Sequence, residues 1–429
     1  MIKKQLLLIL LTFFFSGNVS ALSLEDAVSE SLANNLSLKI EESNLSIAEE
    51  EFFQAKAEFL PSLLLSGSIS ETETSNISSQ SGIKSSDYEL SPSSKSIIIS
   101  QTIFNGFGRA YNIQSSKAEL ELQKLNKLKI QQDIILETIE AYFSILVSEK
   151  SLKSYEDNFN AVSESFISTK KEFEVGLSSA TDVAQAEARF NAAKIDMLNA
   201  KITHQDIKNK FKDLVGIEPS NLKFSSVNGI IPKSFSDLKN LIEENNLSIQ
   251  MAKTNLDVKS SNVGIARSAY YPQINLTASK TELDEFSSLV DEITNEEIEA
   301  TVSWSIFNKG KTLSSVRQAQ KLKNKHMILL QKTQQDTMTL AYNIWDKFSI
   351  SKETLEAANL SYDASQTAFE GTKIEQEVGE RTILDVLNSR QSLLNAEIKF
   401  FNEQKNQEVI KAQILYLAGI LTLEQIREG

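Results

Sequence analysis

Cysteine is absent from the 429-residue chain, and histidine occurs only twice. Without thiols the chain has no disulfide, thiolate metal site, cysteine nucleophile or lipid-modified amino-terminal Cys. The net charge of -13 at pH 7 argues against a nucleic-acid surface. His204 and His326 lie in polar helical stretches, and neither belongs to a recognisable catalytic constellation or Gly-rich phosphate loop. We therefore expect neither an enzyme nor a cofactor or metal site.

Proline and glycine are also scarce, with 5 and 14 residues, while 41% of the residues are apolar. This composition predicts long helices with few breaks and enough apolar surface to bury a core. Beyond the amino terminus, no stretch approaches the ~20 apolar residues that a membrane helix needs. Any membrane crossing by the mature chain must therefore be made by strands.

The first 21 residues show the three zones of a secretory signal. Basic Lys3 and Lys4 precede an apolar run at 6–15, and a polar stretch ends at Ala21. We expect cleavage after Ala21. The alternative is an uncleaved anchor, although the apolar run is short for a bilayer span. The mature chain is expected to be exported.

Several short segments occur twice in the same order, which indicates an internal duplication. The pairs are NNLSL at 34–38 with NNLSI at 245–249, IFN at 103–105 with IFN at 306–308, and EVGLSSATDVAQAEAR at 174–189 with EVGERTILDVLNSR at 377–390. The spacing changes between the first pair and the others, so one loop must differ in length. We predict two repeats of one fold, at 22–229 and 230–429.

Each repeat has the same predicted order of elements. A helical stretch ends at a proline, Pro61 or Pro272, because proline cannot continue a helix. Two segments with period-two alternation follow, separated by a Ser-rich or acidic loop at 70–94 or 281–297. The strands are expected at about 62–70, 95–104, 273–281 and 298–307. Two uninterrupted helical stretches then follow, the first of which is roughly 100 Å long at 1.5 Å per residue.

Four strands cannot close a membrane barrel, which needs about eight. Open edges are not tolerated in lipid, so these strands are expected to close with other copies of the chain. A soluble sheet with one apolar face is the ordinary alternative. The very long helices also lack partner surface within one chain, which favours lateral packing between subunits.

The phrase at 174–189 and 377–390 has a sufficient structural interpretation. Gly176 and Gly379 each follow a long helix, where glycine supplies the left-handed conformation that ends it. Segments 179–182 and 382–385 each fit a capping box that starts the next helix. The phrase therefore predicts a helix end, a turn and a new helix, and such a turn can also be a functional surface.

The exported chain, the duplication, the strand pairs after Pro61 and Pro272 and the repeated VG and DV dipeptides together resemble the TolC family of outer-membrane efflux proteins. The resemblance covers essentially the whole mature chain. It implies a mainly α fold with a membrane β-barrel: a homotrimer in which each chain gives four strands to a 12-stranded barrel and its helices to a long periplasmic tunnel. Such proteins are exit channels in the outer-membrane lipid, joined to an inner-membrane transporter by a periplasmic adaptor.

The resemblance also assigns roles at the periplasmic tip. It places Arg381, Thr382, Asp385 and Asn388 at the pore constriction, with Asn388 standing where the family has a second acidic ring. Arg381 would help to close the constriction, unless it merely pairs with Asp385 one turn away. Gate-closing contacts would come from Thr181, Asp182 and Gln376, although the best-known member of the family has a tyrosine where this chain has Gln376. The adaptor-contact pattern falls on Val175, Gly176, Leu177, Thr181, Asp182, Val378 and Gly379.

The sequence leaves two matters open. A periplasmic structural coiled-coil protein without a channel is the alternative function, with the alternating segments forming soluble hairpins. The cargo, whether drug, metal ion or secreted protein, has no signature in the chain.

Overall fold

The computed structural model describes residues 22–75, 88–227, 229–287 and 290–427. The expected signal peptide at 1–21 lies outside these ranges, as do residues 76–87 of the expected loop. The described helices are α1 (Leu24–Asn34), α2 (Leu36–Ala57), α3 (Gly108–Glu174), α4 (Ala180–Val215), α5 (Phe235–Asn245), α6 (Leu247–Ser268), α7 (Lys311–Glu377), α8 (Ile383–Leu417) and α9 (Leu423–Arg427). The strands are β1 (Ser62–Ile69), β2 (Thr72–Thr74), β3 (Tyr88–Leu90), β4 (Ser93–Asn105), β5 (Gln273–Ser287) and β6 (Val290–Ser303).

Helices α3 and α7 each contain 67 residues, as the absence of internal proline predicts. Their return helices, α4 and α8, have 36 and 35 residues. The repeated order of elements is thus present in both halves. Since isolated helices are only marginally stable in water, packing against neighbours must supply most of the stability of α3 and α7.

The helix expected before each proline is broken into two, and the repeated Asn-Asn motif marks the break. Asn35 has extended backbone angles, and its Oδ1 accepts hydrogen bonds from Ser37 N (2.8 Å) and Leu38 N (3.3 Å). Asn246 ends α5 in the same extended conformation. Asparagine caps helices because its short side chain replaces missing backbone partners, and this signal was overlooked in the sequence.

Contacts divide the described residues into two units. The helical unit comprises 22–38, 130–246 and 338–427, and the sheet unit comprises 39–129 and 247–337. The core of the helical unit packs α1, α3, α4 and α8 through fully buried side chains, among them Leu24, Tyr142, Phe211 and Leu415. The buried Glu408 carboxylate accepts hydrogen bonds from Val227 N (2.7 Å) and Lys411 Nζ (2.7 Å). A buried charge needs such partners. The bond from Val227 also attaches the segment between α4 and α5 to α8.

The sheet unit contains an antiparallel sheet in the order β1-β4-β5-β6. Exposure alternates along β4, where Lys95, Ile97 and Ile99 are on the more exposed face. In register with Ile99 lie Leu63 on β1 and Ala278 on β5, so this face carries an apolar band. The opposite face is rich in hydroxyl groups. Its members include Ser66, Ser96, Ser100, Thr277, Ser279 and Thr301.

The second strand pair differs from the expected bounds. The segment 281–297 was expected to be a loop, but β5 runs to Ser287 and β6 starts at Val290, whereas 304–307 is not strand. Charged composition suggested a solvated loop, yet cross-strand pairing satisfies the backbone regardless of side-chain charge. Lys280 Nζ lies 3.6 Å from Glu296 across the pair, an opposite-charge contact that favours this register. Within 70–94, β2 and β3 also pair as a short ladder.

One strand-to-helix junction of the sheet unit is fixed by a buried arginine. Arg109 donates from Nη1 to Glu58 O (2.9 Å) and from Nη2 to Ile103 O (3.2 Å), and its guanidinium lies 4.5 Å from the ring centre of Phe59. Cations stabilise helix C-terminal ends, where carbonyls lack partners. Arg109 therefore connects the end of α2 to the end of β4.

Candidate functional site

Both long helices end in the same hydrogen-bond pattern within the helical unit. After α3, Gly176 N donates to Phe173 O (3.0 Å) and Leu177 N to Glu172 O (2.7 Å). This pair of bonds is a Schellman motif, and Gly176 has the required positive φ of 81°. After α7, Gly379 has φ 83° and the same two bonds form three and five residues back. The prediction that the two glycines end the long helices in a left-handed conformation is confirmed.

Both return helices begin with a capping box, as the sequence predicted. At the start of α4, Asp182 N donates to Ser179 Oγ (3.2 Å), and the Asp182 carboxylate accepts from Ser179 N (2.9 Å). At the start of α8, Asp385 N donates to Thr382 Oγ1 (3.2 Å) and its carboxylate accepts from Thr382 N (3.0 Å). Thr382 and Asp385 are therefore held by the turn itself.

The caps lower the pKa of both aspartates. For Asp182 the largest cause is the hydrogen bond from the Ser179 hydroxyl, followed by the Ser179 backbone N–H. For Asp385 the order is reversed: the Thr382 backbone N–H comes first and its hydroxyl second, with a smaller effect of Arg381. Hydrogen bonds to a carboxylate favour its charged form. Both aspartates therefore stay negatively charged at neutral pH.

Arg381 forms its hydrogen bond with Glu375 rather than with Asp385, the partner considered from the sequence. Its Nε donates to Glu375 Oε2 at 2.8 Å, so the second turn is tied back to the last turn of α7. This hydrogen bond is the main reason that the Arg381 pKa is raised, and the Asp385 charge contributes less. Arg381 thus lies near Asp385 but does not use it as its hydrogen-bonding partner.

Asn388 lies one turn beyond Asp385 on α8 and accepts a hydrogen bond from another helix. Arg189 Nη2, on α4, donates to Asn388 Oδ1 at 2.8 Å. Arg189 belongs to the first copy of the repeated phrase and Asn388 to the second. The sequence singled out Asn388 but gave no sign of its partner.

The two turns line a shared pocket of about 360 Å³. Asp182 and Gln376, the expected gate-closing pair, both line it, as do Leu177 and Arg381. Among the described residues no hydrogen bond joins Asp182 to Gln376, because the Asp182 carboxylate is bonded by Ser179 and Ser178. At this turn, Gln376 takes part in hydrogen bonding through its backbone carbonyl, which accepts from Gly379 N.

Several residues of the expected adaptor surface are exposed. Val175, Leu177 and Val378 are 71%, 80% and 70% exposed. Thr181 and Asp182 are exposed as well. The two glycines leave open space around their Cα atoms, since a Cβ built there meets no atom within 4 Å. The two turns therefore present apolar side chains that the described residues of the chain leave largely uncovered.

Sequence reasoning missed two partners at this site, Arg189 and Glu375. The sequence identified Ser179 as the first member of the capping box. It did not show that the Ser179 hydroxyl is the main cause of the lowered Asp182 pKa. Glu375 lies six residues before Arg381, a spacing that reaches across a helix end and matches no helical pair rule. Arg189 and Asn388 are 199 residues apart, so only tertiary structure brings them together.

The part of the chain that the structure describes contains no group of three or more His, Cys, Asp or Glu side chains placed to hold a metal ion. His204 is half-buried rather than solvated, and its Nδ1 lies 2.9 Å from Ser148 Oγ. The same Ser148 hydroxyl donates a hydrogen bond to Ile145 O at 2.9 Å. The pair is therefore a structural contact between α3 and α4. In the described residues, no helix is sufficiently long and apolar to span a membrane.

Comparisons with known proteins agree with the fold. The chain is 25% identical to the outer membrane efflux protein BepC of Brucella suis over 412 residues, covering 94% of this chain and 87% of that one. It is 24% identical to the outer membrane protein TolC of Escherichia coli over 455 residues, covering 99% and 88%. The CmeC outer membrane channel of Campylobacter jejuni has a similar structure, with a TM-score of 0.83 and 19% identity over 92% of this chain and 85% of that one.

The sequence pattern of one family matches two separate stretches, 27–216 and 238–419. Each stretch lies within one of the two repeats predicted from the sequence, and together they cover most of the chain. The chain belongs to the outer membrane efflux protein family.

Proposed function

We propose that the chain forms the outer-membrane channel of a tripartite efflux or type I secretion system, a passive exit duct closed at its periplasmic tip. The observation that carries this proposal is the four-stranded sheet with one apolar and one hydroxyl-rich face. Its outer strands, β1 and β6, leave edges that lipid does not tolerate. Three copies would supply 12 strands, enough to close a barrel with a polar interior.

Fractionation and conductance together test the channel. We expect the protein in the outer-membrane fraction, a trimer in detergent solution, and conducting pores in planar bilayers. The alternative, a periplasmic structural coiled-coil protein without a channel, predicts a soluble protein that needs no detergent and forms no pore. Recovery in the periplasmic fraction without detergent would therefore overturn the proposal.

The gate that this proposal requires is assigned to the second turn. Three symmetry-related Asp385 carboxylates would surround the axis, attract cations and repel anions. Crowded carboxylates raise one another's pKa, whereas the cap at Thr382 lowers that of Asp385. The cap therefore favours a ring that remains charged. Because Asn388 is neutral, we expect one acidic ring rather than two.

Arg381 is assigned to closing the gate. Its hydrogen bond to Glu375 holds the turn against α7, which limits how far the turn can swing. Asp182 and Gln376 would contribute to closure through the wall of the shared pocket rather than through a direct bond. Thr181, the exposed neighbour of Asp182 in the sequence, would contribute from the surface of α4.

The exposed apolar side chains of the tip fit a protein partner. We assign Val175, Leu177 and Val378, together with the turn glycines, Thr181 and Asp182, to contact with a periplasmic adaptor, which would connect the channel to an inner-membrane transporter. Apolar side chains at the centre of a contact and polar ones at its edge are typical of such interfaces. Cross-linking from position 177, described below, tests this assignment.

A further inference from the structure

Helices α3 and α4 form one helical hairpin of the chain, and α7 and α8 form the other. The hydrogen bond between Arg189 and Asn388 connects these two hairpins near their turns. Arg189 Nη2 and Asn388 Oδ1 are 2.8 Å apart, and the bond joins α4 of the first repeat to α8 of the second. A guanidinium is always charged and presents fixed donors, so its bond to a side-chain oxygen is directional. The contact is therefore suited to fixing one relative position of the two helices.

An apolar cluster lies directly beside this bond. Leu387, which precedes Asn388, is buried with Val162 and Ala193, and Phe190, which follows Arg189, packs against them. The residues adjacent to both members of the bond are thus packed together. Close packing restricts sliding of α4 against α8 at this level, which keeps the donor and acceptor aligned.

Toward the turns, the packing opens into the pocket of about 360 Å³ lined by Leu177, Asp182, Gln376 and Arg381. The two turns are thus separated by space, while the helices behind them are joined. The Arg189–Asn388 bond is consequently placed where it can transmit a movement of one hairpin to the other.

We propose that Arg189 is a positioning residue of the tip, which holds the two hairpins of one subunit together through Asn388 and compensates any negative charge at position 388. This inference rests on the proposed channel function. It goes beyond the gate assignment because it gives the first repeat a direct effect on the charge of the constriction.

The charge effect is measurable because Asn388→Asp restores a carboxylate at the second ring position. If Arg189 holds that carboxylate in an ion pair, Asn388→Asp alone changes the cation-to-anion permeability ratio by less than about 1.5-fold. In the double variant Arg189→Gln/Asn388→Asp the carboxylate is unpaired, and the ratio rises at least about twofold. Reversal potentials in planar bilayers under a KCl gradient give both values. An equal rise in the single and double variants would overturn the proposal.

A conservative replacement separates charge compensation from a merely structural role. Arg189→Lys keeps the positive charge, so combined with Asn388→Asp it should hold the permeability ratio near that of the unmodified channel. Arg189→Gln alone should raise the ratio by less than the double variant does, because it removes a positive charge but adds no negative one. If Lys fails where Arg succeeds although the trimer forms normally, compensation by charge is wrong.

A second measurement does not depend on conduction. Because the chain has no cysteine, Arg189→Cys/Asn388→Cys carries the only two thiols. A short bismaleimide should link them within one chain, which accelerates the denatured monomer in electrophoresis. Ala188→Cys/Asn388→Cys is the matched control, since Ala188 is exposed on the adjacent position of the same helix. Linked dimers, or equal linking in the control, would overturn the connection within one chain even if the channel function stands. A linked monomer that conducts no ions would instead contradict the channel.

Discussion

The two turns of the tip have nearly the same backbone and different side chains. In the first, the position after Gly176 is Leu177 and the next is Ser178; in the second, the equivalent residues are Glu380 and Arg381. Glycine and the capping box are kept in both copies because they form the turn, as the hydrogen bonds show. The side chains that the turn does not need have diverged, one turn becoming apolar and the other charged.

The same contrast affects a glutamate that both copies share. Glu172 accepts a hydrogen bond from Ser168 (3.1 Å) within its own helix, whereas its counterpart Glu375 binds Arg381 (2.8 Å) in the turn. Two differences between the copies accompany this change of partner: Arg381 stands in place of Ser178, and Gly371 stands in place of Ser168. The two turns therefore share a backbone but carry different side chains, as the proposed contact surface and the proposed gate require.

The sharpest test of this division compares Leu177 with Glu380, which occupy equivalent positions. Leu177→Cys should form a cross-link to a periplasmic adaptor, because the 80% exposed leucine is placed for an apolar contact. Glu380→Cys should give little or none. Cross-linking in cells expressing the adaptor, followed by immunoblotting, measures both, with equal surface expression as the control. Comparable adducts from the two positions would mean that the turns are not specialised for docking.

The next test replaces Arg381, the proposed gate residue, by its counterpart in the first turn. Arg381→Ser removes the bond to Glu375 and gives position 381 the residue found at position 178, so we expect a several-fold rise in single-channel conductance. Ser178→Ala, the matched control, should leave conductance nearly unchanged. An unaltered conductance in Arg381→Ser channels would show that the bond to Glu375 does not close the gate.

A smaller change is expected from the charge at the start of each return helix. Asp385→Asn should lower the cation-to-anion permeability ratio by about two- to fivefold, because it removes the negative ring. Asparagine retains an acceptor for the cap, so the helix start should survive. Asp182→Asn should change the ratio less, since the ring is assigned to the second turn. Reversal potentials compare the two variants, and equal shifts would place both aspartates at the constriction.

The glycines offer the opposite comparison, in which both turns should respond alike. Gly176→Ala and Gly379→Ala place a Cβ in a left-handed conformation and should each destabilise the turn by about 1–2 kcal/mol. No atom lies within 4 Å of either Cβ, so the whole effect comes from the backbone. Hydrogen exchange of the turn amides measures it, with Gly371→Ala as the control, since that residue lies within α7 and its Cβ also meets open space. A marked difference between the turns would mean that contacts outside the chain stabilise one of them.

These comparisons also show which features the sequence could predict. The glycine turns and capping boxes depend on residues at most five positions apart, so local rules found both. The extent of β5 and β6 depends on pairing between strands, which the charged composition of residues 281–297 did not indicate. The bonds of Arg381 and Arg189 depend on which of several reachable acceptors a long side chain meets. That choice is made by tertiary packing, and the duplication gave no guide because neither arginine has a counterpart in the other repeat.

The smallest expected difference between the turns is in their response to acid. Both aspartates have a lowered pKa, so each cap contributes stability above the ordinary carboxyl pKa of about 4 and loses it as the pH falls through the lowered value. The main cause is the hydroxyl of Ser179 for Asp182 but the backbone N–H of Thr382 for Asp385. Ser179→Ala should therefore weaken the acid dependence of its helix start more than Thr382→Ala weakens that of the other. Hydrogen exchange between pH 5 and about pH 3, corrected for the intrinsic rate, measures the two. An equal loss would mean that the backbone N–H is the main cause of the lowered pKa in both caps. The two turns would then differ only in side chains that take no part in the caps.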